Sequence, residues 1–396
     1  MRLKQTKLIL IVLDSVGVGE LPDAGVYGDK GTNTISHIAQ EVDGLRLPNL
    51  ASLGLGNITN INGVSSNNNA TGCFGKLAEA SEGKDSTTGH WEIAGIITHQ
   101  AFPLYPTGFP EELLERFLQV TECSGYLGNK PASGTEIINE LGDEHVRTGF
   151  PIVYTSGDSV FQIAAHQDVI PLELLYEICR KTREQVVVGK HRVGRVIARP
   201  FIGATGSYRR TPYRRDYAVE PPEDTVLDIL HGEGVSTIGI GKIDDLFCGR
   251  GLQVKIHIKS NAEGINEIIK TGKSMQSGFL MANLVDFDML FGHRQDAVGY
   301  AKALEEFDAM LPEIQNCIGN GDVLILTADH GNDPTDQSTD HTREYVPLLC
   351  YTKSGQRNVN LGIRSSFADV GKTVADFFNV SRTHSLSGQS FLANIV

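Results

Sequence analysis

Two segments in the last third of the chain hold acids and imidazoles at spacings that bulk packing does not require: NLVDFDMLFGH (283–293) and TADHGNDPTDQSTDH (327–341). His293, His330 and His341 fall within 49 residues and stand near Asp288, Asp329, Asp333 and Asp340. Carboxylate oxygens and neutral imidazole nitrogens without thiolates are the donor set of Mn²⁺, Mg²⁺ or Zn²⁺, and with no cysteine beside them structural zinc is disfavoured. The chemistry this implies is that of a catalytic two-metal centre. Any one of these residues alone reads as a turn acid, a helix cap or a surface histidine; three histidines tied to acids make that joint coincidence improbable.

A second cluster is GKDSTTGHWEIAG (83–95), where Ser86, Thr87 and Thr88 follow Asp85. Serine and threonine hydroxyls are poor nucleophiles unless a base or metal activates them, so a reactive hydroxyl here needs a partner such as the acid and imidazole cluster. Taken alone, the segment reads as a helix amino terminus with Ser86 or Thr87 as the cap and Glu92 in an early turn. Gly17-x-Gly19 resembles the start of a dinucleotide fingerprint, but Pro22 stands where its third glycine belongs. Asp14, just before that turn, makes better sense as a metal ligand. Residues 190–215 hold eight Lys or Arg and no acid, a local excess that suits an anionic substrate, since guanidinium forks match phosphate oxygens. About half of these residues are expected to belong to an ordinary solvated face.

Such residues need strands to deliver them. Leu8–Leu13 is a continuous apolar run ending at Asp14, which reads as a buried parallel strand. Thr237–Ile240, Phe279–Val285, Val323–Thr327 and Val346–Tyr351 are runs of the same type, with the amphipathic Gly299–Ile318 between two of them. This alternation predicts an α/β fold, a mostly parallel sheet flanked by helices. Ligands at the carboxyl ends of such strands face the crevice where open α/β sheets bind small molecules. Prolines 103, 106 and 110 open a different middle segment, with helices expected near 111–120 and 171–184, and prolines 212, 221 and 222 close it. The division expected is a core from 1–98 and 224–396, with 99–223 inserted. The Asn-rich stretch 56–72 is loop composition.

With 396 residues, 40% hydrophobic and 21% charged, the chain has the size of about two domains and the composition of a globular protein. A net charge of −13 opposes a general nucleic-acid surface. Six scattered cysteines without a C-x-x-C pair suit a reducing cytoplasm. Lys4 and Lys7 before residues 8–13 imitate a signal peptide, but the apolar stretch is too short, and no run approaches a membrane span. A cytoplasmic protein without nucleic-acid or membrane partners is expected.

LDSVGVGELPDA (13–24), GKDSTTGHWEIAG (83–95), GNKPASGTEI (128–137), TSGDSVFQIAAH (155–166), GRVIARPF (194–201), NLVDFDMLFGHR (283–294) and TADHGNDP with TDHTREYVPLL (327–349) together resemble the phosphopentomutase family of the alkaline phosphatase superfamily, over nearly the whole chain. The resemblance implies an alkaline-phosphatase-like metal-binding core with a smaller inserted α+β cap. It implies interconversion of ribose or deoxyribose 1-phosphate and 5-phosphate through a phosphoryl enzyme and a 1,5-bisphosphate. A phosphoglycerate mutase or phosphatase on the same core is the alternative. Carried over by motif, Asp288, His293 and His341 would hold one Mn²⁺, and Asp14, Asp329 and His330 the other, with Mg²⁺ or another divalent ion as a substitute. The family nucleophile directly follows the Asp of GKD and is usually threonine; here it is Ser86, with Thr87 as the alternative. Ser156, Asp158, Arg195 and Arg210 in the cap and Lys242 from the core would contact the sugar phosphate, and glucose 1,6-bisphosphate or ribose 1,5-bisphosphate would act as activator.

Overall fold

The computed structural model describes residues 6–396, so Lys4 of the basic flank lies outside the described residues. The chain forms two compact units: Met1–Gln100 with Pro221–Val396, and Ala101–Glu220 between them. In chain order the first unit contributes β1 (Lys7–Leu13) and β2 (Cys73–Leu77). The second contributes β3 (Leu127–Pro131), β4 (Ile152–Thr155), β5 (Val160–His166), β6 (Arg195–Ile202), β7 (Arg209–Arg210) and β8 (Arg215–Ala218). The first unit then resumes with β9 (Thr237–Ile240), β10 (Val254–Ile256), β11 (Gly278–Leu284), β12 (Val323–Thr327), β13 (Val346–Tyr351) and β14 (Asn360–Arg364).

The larger sheet runs β10-β9-β11-β1-β12-β13-β2-β14. Strand β1 lies in parallel register between β11 and β12, pairing Leu13 with Leu284 and Val12 with Thr327. Only β13 runs the other way, antiparallel to both β12 and β2. The apolar runs are continuous because both faces are covered: Leu8 through Leu13 are buried, each such side chain contributing roughly 1.5–3 kcal/mol on burial. A parallel arrangement also sets the ends of β1, β11 and β12 on one edge of the sheet. Asp14, Asp286–Asp288 and Asp329–His330 therefore leave the sheet on that edge, just past the strand ends. The amphipathic stretch before β12 is the helix Ala297–Gln315.

The second unit is a smaller α+β body around the sheet β3-β4-β5-β6-β7, with β8 paired to β6 beside β7. Alternation along its strands sorts two faces. Val153, Phe161, Ile163, Val196 and Ala198 pack with the helices Glu111–Thr121 and Leu172–Lys181. On the other face Ile152, Tyr154, Ala164 and Phe201 pack under the helix Gly134–Thr148. That helix covers only part of its face, and Gln162, Arg195 and Arg199 belong to the remainder, as their register with Tyr154, Val160 and Ala164 requires.

Candidate metal centre

Asp14 follows β1 and is fully buried. The turn that carries it away uses Ser15 at φ 73°, a left-handed conformation uncommon for a residue with a side chain. Ser15 N–H donates to Asp329 Oδ1 at 3.1 Å, and Ser15 Oγ meets Tyr300 Oη at 3.0 Å. The glycines beyond serve a close approach and not a nucleotide: a Cβ on Gly17 would lie 2.3 Å from Glu344 Oε2, and Gly19 N–H donates to that same carboxylate.

Three imidazole nitrogens converge near the three carboxylates. His330 Nε2 lies 3.6 Å from Asp14 Oδ1 and 3.3 Å from Asp329 Oδ2. His293 Nε2 lies 3.2 Å from Asp288 Oδ2 and 3.2 Å from His341 Nε2, which is itself 3.5 Å from Asp288 Oδ1. The opposite ring nitrogens are spoken for: His330 Nδ1 faces Gly331 O at 3.0 Å and His293 Nδ1 faces Thr339 O at 2.6 Å. A carbonyl can only accept, so in the neutral ring each Nδ1 carries the proton and each Nε2 keeps its lone pair, the arrangement that metal-ligating histidines use.

Burial and neighbouring charge shift the titration of these groups in opposite directions. Burial, and then Asp329, pushes the Asp14 carboxyl up to about 7. Burial pushes His330 down to about 4, which keeps its ring neutral. Burial also opposes the charge on His341, but Asp288 outweighs it and raises the ring to about 9. Burial would raise Asp288, yet His341 and His293 hold it well below the usual carboxylate range. Asp14 Oδ1 is a buried oxygen without a hydrogen-bond donor, and Asp329 Oδ2 faces the imidazole nitrogens His90 Nδ1 at 3.1 Å and His330 Nε2 at 3.3 Å. Orphaned buried carboxylate oxygens are costly unless a cation or donor satisfies them, so the residues present fit divalent metal ions. The ligand atoms fall into two groups: Asp288, His293 and His341, and Asp14, Asp288 and His330. The first is the group that the resemblance implied for one ion. In the second Asp288 stands where Asp329 was expected, although Asp329 remains within 3.3 Å of His330.

Ser86 is the first residue of the helix Ser86–Ile93. The cap is Asp85, not Ser86 or Thr87, because its side chain reaches the Thr87 and Thr88 amides. Glu92 sits in the last turn and accepts from Ser81 N–H and Phe367 N–H. Ser86 Oγ lies 3.1 Å from His330 Nε2, while Thr88 Oγ1 is committed to Asp85 Oδ2 at 2.6 Å. Gly89 lets this helix approach: a Cβ there would lie 2.1 Å from Asp329 O.

Sequence reading missed three side chains that order the cluster. His90 Nδ1 donates to Ser86 O at 2.8 Å, and its Nε2 lies 3.2 Å from Asn283 Nδ2, which also donates to Asp14 Oδ2 at 3.0 Å. Asn332 Nδ2 donates to Asp288 Oδ1 at 2.8 Å. His90 could have been found from its place one helical turn after Ser86; the asparagines carry no such signal. Asp333 is occupied by Asn33 N–H and Thr335, and Asp340 pairs with Lys84 at 3.5 Å, so neither joins the metal groups.

Lys242, just after β9, places Nζ 3.9 Å from Asp14 Oδ2. In the second unit Ser156 and Asp158 lie in the β4–β5 turn, and Arg195 begins β6 with Nη2 3.9 Å from Asp158 Oδ2. Arg210 ends β7 with an exposed side chain.

Residues 6–382 match the model of the metalloenzyme superfamily. The phosphopentomutase of Dictyoglomus thermophilum is 54% identical, with 98% of each chain covered. That of Caldanaerobacter subterraneus subsp. tengcongensis is 55% identical over the same shares. Among solved structures, Leishmania mexicana phosphoglycerate mutase superposes with a TM-score of 0.51 at 12% identity, over 98% of both chains. The PH0037 protein of Pyrococcus horikoshii does so at 0.50 and 15%, over 96% of this chain and 99% of its own. These distant likenesses speak for the fold alone, whereas the near relatives share more than half of all residues across both units. The chain belongs to the phosphopentomutase family of the metalloenzyme superfamily.

Proposed function

We propose that this chain interconverts α-D-ribose 1-phosphate, or its 2-deoxy form, and the corresponding 5-phosphate. Identity of 52–55% to phosphopentomutases over 98% of the chain, the inserted unit included, carries this reading. The phosphoglycerate mutase likeness, at 12% identity, gives the alternative no support beyond the fold.

In the resting enzyme Ser86 Oγ carries a phosphoryl group. The free 5-hydroxyl of ribose 1-phosphate attacks that phosphorus; the Ser86 Oγ–P bond breaks, the O5–P bond forms, and the hydroxyl proton passes from O5 to solvent. The 1,5-bisphosphate then reorients, Ser86 Oγ takes the phosphoryl group from O1, the O1–P bond breaks, O1 takes up a proton from solvent, and ribose 5-phosphate departs. Asp288, His293 and His341 would hold one Mn²⁺ and Asp14, Asp329 and His330 the other, which when bound supply charge that stabilises the attacking and leaving oxygens. Asn283, Asn332 and His90 fix the carboxylates and the Ser86 helix turn through the hydrogen bonds described above. Lys242 adds a positive charge beside Asp14. The inserted unit acts as a substrate cap, where Ser156, Asp158, Arg195 and Arg210 contact the sugar and the phosphate that is not being transferred. A sugar 1,6- or 1,5-bisphosphate serves as activator by rephosphorylating Ser86. Scattered thiols suit a cytoplasmic setting.

A coupled assay with ribose 1-phosphate and Mn²⁺, with and without catalytic glucose 1,6-bisphosphate, tests the reading. Turnover stimulated by the bisphosphate is expected. Release of inorganic phosphate without isomerisation would instead identify a phosphatase.

A further inference from the structure

Glu344 is a buried acid that no step of the proposed reaction uses. Its Oε2 accepts from Gly19 N–H and from Thr34 N–H, each at 3.0 Å, and its Oε1 accepts from the Thr34 and Thr342 hydroxyls, each at 2.7 Å. A buried carboxylate is costly unless its oxygens are satisfied. Here neutral donors from three separate segments satisfy it. One of them is the start of the helix Thr34–Glu41, whose N-cap Asn33 makes no side-chain bond, so Glu344 takes the place of the missing cap and meets the positive end of that helix.

Two glycines make room for the carboxylate. A Cβ on Gly331 would lie 2.6 Å from Oε1, as one on Gly17 would collide with Oε2. The segments so joined each lead to a candidate metal ligand: Gly17 and Gly19 lie beyond Asp14 in the same turn, Gly331 directly follows His330, and Thr342 directly follows His341. Backbone bonds hold the same segments in step. Val18 N–H donates to Tyr345 O and Tyr345 N–H to Gly19 O, both at 2.8 Å, while Gly331 and Thr342 exchange a pair of bonds at 3.1 and 2.8 Å.

The Thr34 hydroxyl carries the connection further. While donating to Glu344 it accepts from Asn332 N–H at 3.1 Å, and the Asn332 side chain in turn holds Asp288 Oδ1. A single carboxylate is thereby tied to the segments of Asp14, Asp288, His330 and His341, which belong to both ligand groups.

We propose that Glu344 is a positioning residue that sets the spacing of the two metal sites, acting through Gly19, Thr342 and the relay from Thr34 to Asn332. The role rests on the metal centre described above, and on the mutase reading only for its kinetic readout. Partners of this kind, which orient metal ligands from behind, are typically worth about 10- to 100-fold in metal affinity or activity.

Three substitutions of similar shape test the role. Glu344→Gln puts an amide NH₂ where an acceptor stood, Thr34→Val removes the relay hydroxyl, and Thr34→Ser keeps it. Mn²⁺-loaded protein is dialysed against falling Mn²⁺, and the retained ion is counted. Glu344→Gln and Thr34→Val should each release Mn²⁺ at a free concentration about tenfold or more above that of the parent. With ribose 1-phosphate their kcat should fall about tenfold or more while KM stays within about twofold, the split expected when ground-state substrate contacts are untouched. Thr34→Ser should retain parental values. A purely structural acid would instead lower the urea midpoint and leave Mn²⁺ retention and kcat parental, which would overturn the proposal, as would a raised KM with parental Mn²⁺ retention. If Glu344→Gln does not fold, the pair at Thr34 decides, and equal Mn²⁺ retention by Thr34→Val and Thr34→Ser would overturn it. A parent that retains no Mn²⁺ would do the same. If the parent retains Mn²⁺ but does not isomerise ribose 1-phosphate, the mutase reading falls, and the dialysis still decides the role of Glu344.

Discussion

At the residue scale the roles separate by what each side chain touches. Ser86 faces His330, whereas the Thr88 hydroxyl is tied to Asp85. Ser86→Ala should abolish turnover and remove a single phosphate from the intact mass while metal content stays near the parent value. Thr87→Ala should keep that phosphate, and the reverse pattern would move the nucleophile by one position. For the metals, His341→Ala should lose the ion that His293 helps to hold, and Asp14→Ala the other. Asp288→Ala should lose the same ion as His341→Ala in metal analysis after dialysis; full occupancy in all three variants would make these residues structural. Arg210→Ala removes a charge-assisted contact, typically about 1.5–3 kcal/mol, or roughly tenfold to more than a hundredfold in kcat/KM. Assay with ribose 1-phosphate at rising bisphosphate concentration checks this, and a curve identical to the parent would return Arg210 to the solvated face.

At the element scale the placement of the helix Ser86–Ile93 depends on a missing side chain. Gly89→Ala puts a Cβ 2.1 Å from Asp329 O, and backbone cannot yield there as a flexible side chain would. Overpacking of this kind costs about 1–3 kcal/mol, and the helix should shift Ser86 from His330, so turnover should fall further than the urea midpoint alone explains. Gly232→Ala is the control: nothing lies within 4 Å of its Cβ, and roughly 0.4–1 kcal/mol of stabilisation is expected. The same scale shows what the sequence made legible. Strands β1, β9, β11, β12 and β13 were readable because burial on both faces produces unbroken apolar runs. Strands β2 and β8 interrupt their apolar residues with Gly75 and Lys76 or with Arg215 and Asp216, and β7 has only two residues. Acids and histidines at strand ends were likewise visible. Asn283 and Asn332 were not, since the atoms they serve lie 269 and 44 residues away in sequence, and an asparagine is equally at home in any turn.

At the scale of the whole molecule, the candidate metal ligands all lie in one unit, formed by the two ends of the chain. Ligands that bind only the folded state add to its stability, about 2.7 kcal/mol per site at a hundredfold excess over Kd. Chelation should therefore lower the thermal midpoint, with hydrogen exchange rising at the carboxyl ends of β1, β11 and β12 and staying unchanged in β4, β5 and β6. Protection lost evenly across both units would contradict a localised centre. Strand β1 pairs on one side with β11 and on the other with β12, in register Leu8 to Phe279 and Leu8 to Val323. During synthesis KLILIVL therefore emerges with neither neighbour yet made. At about 5–20 residues per second, the roughly 315 residues separating it from β12 mean a wait of about 15–65 s. For that interval an apolar segment with two open edges is exposed to other nascent chains, the kind of template from which intermolecular strand pairing begins. Soluble yield should consequently respond to holdase chaperones and to slower initiation far more than the stability of the finished protein would suggest.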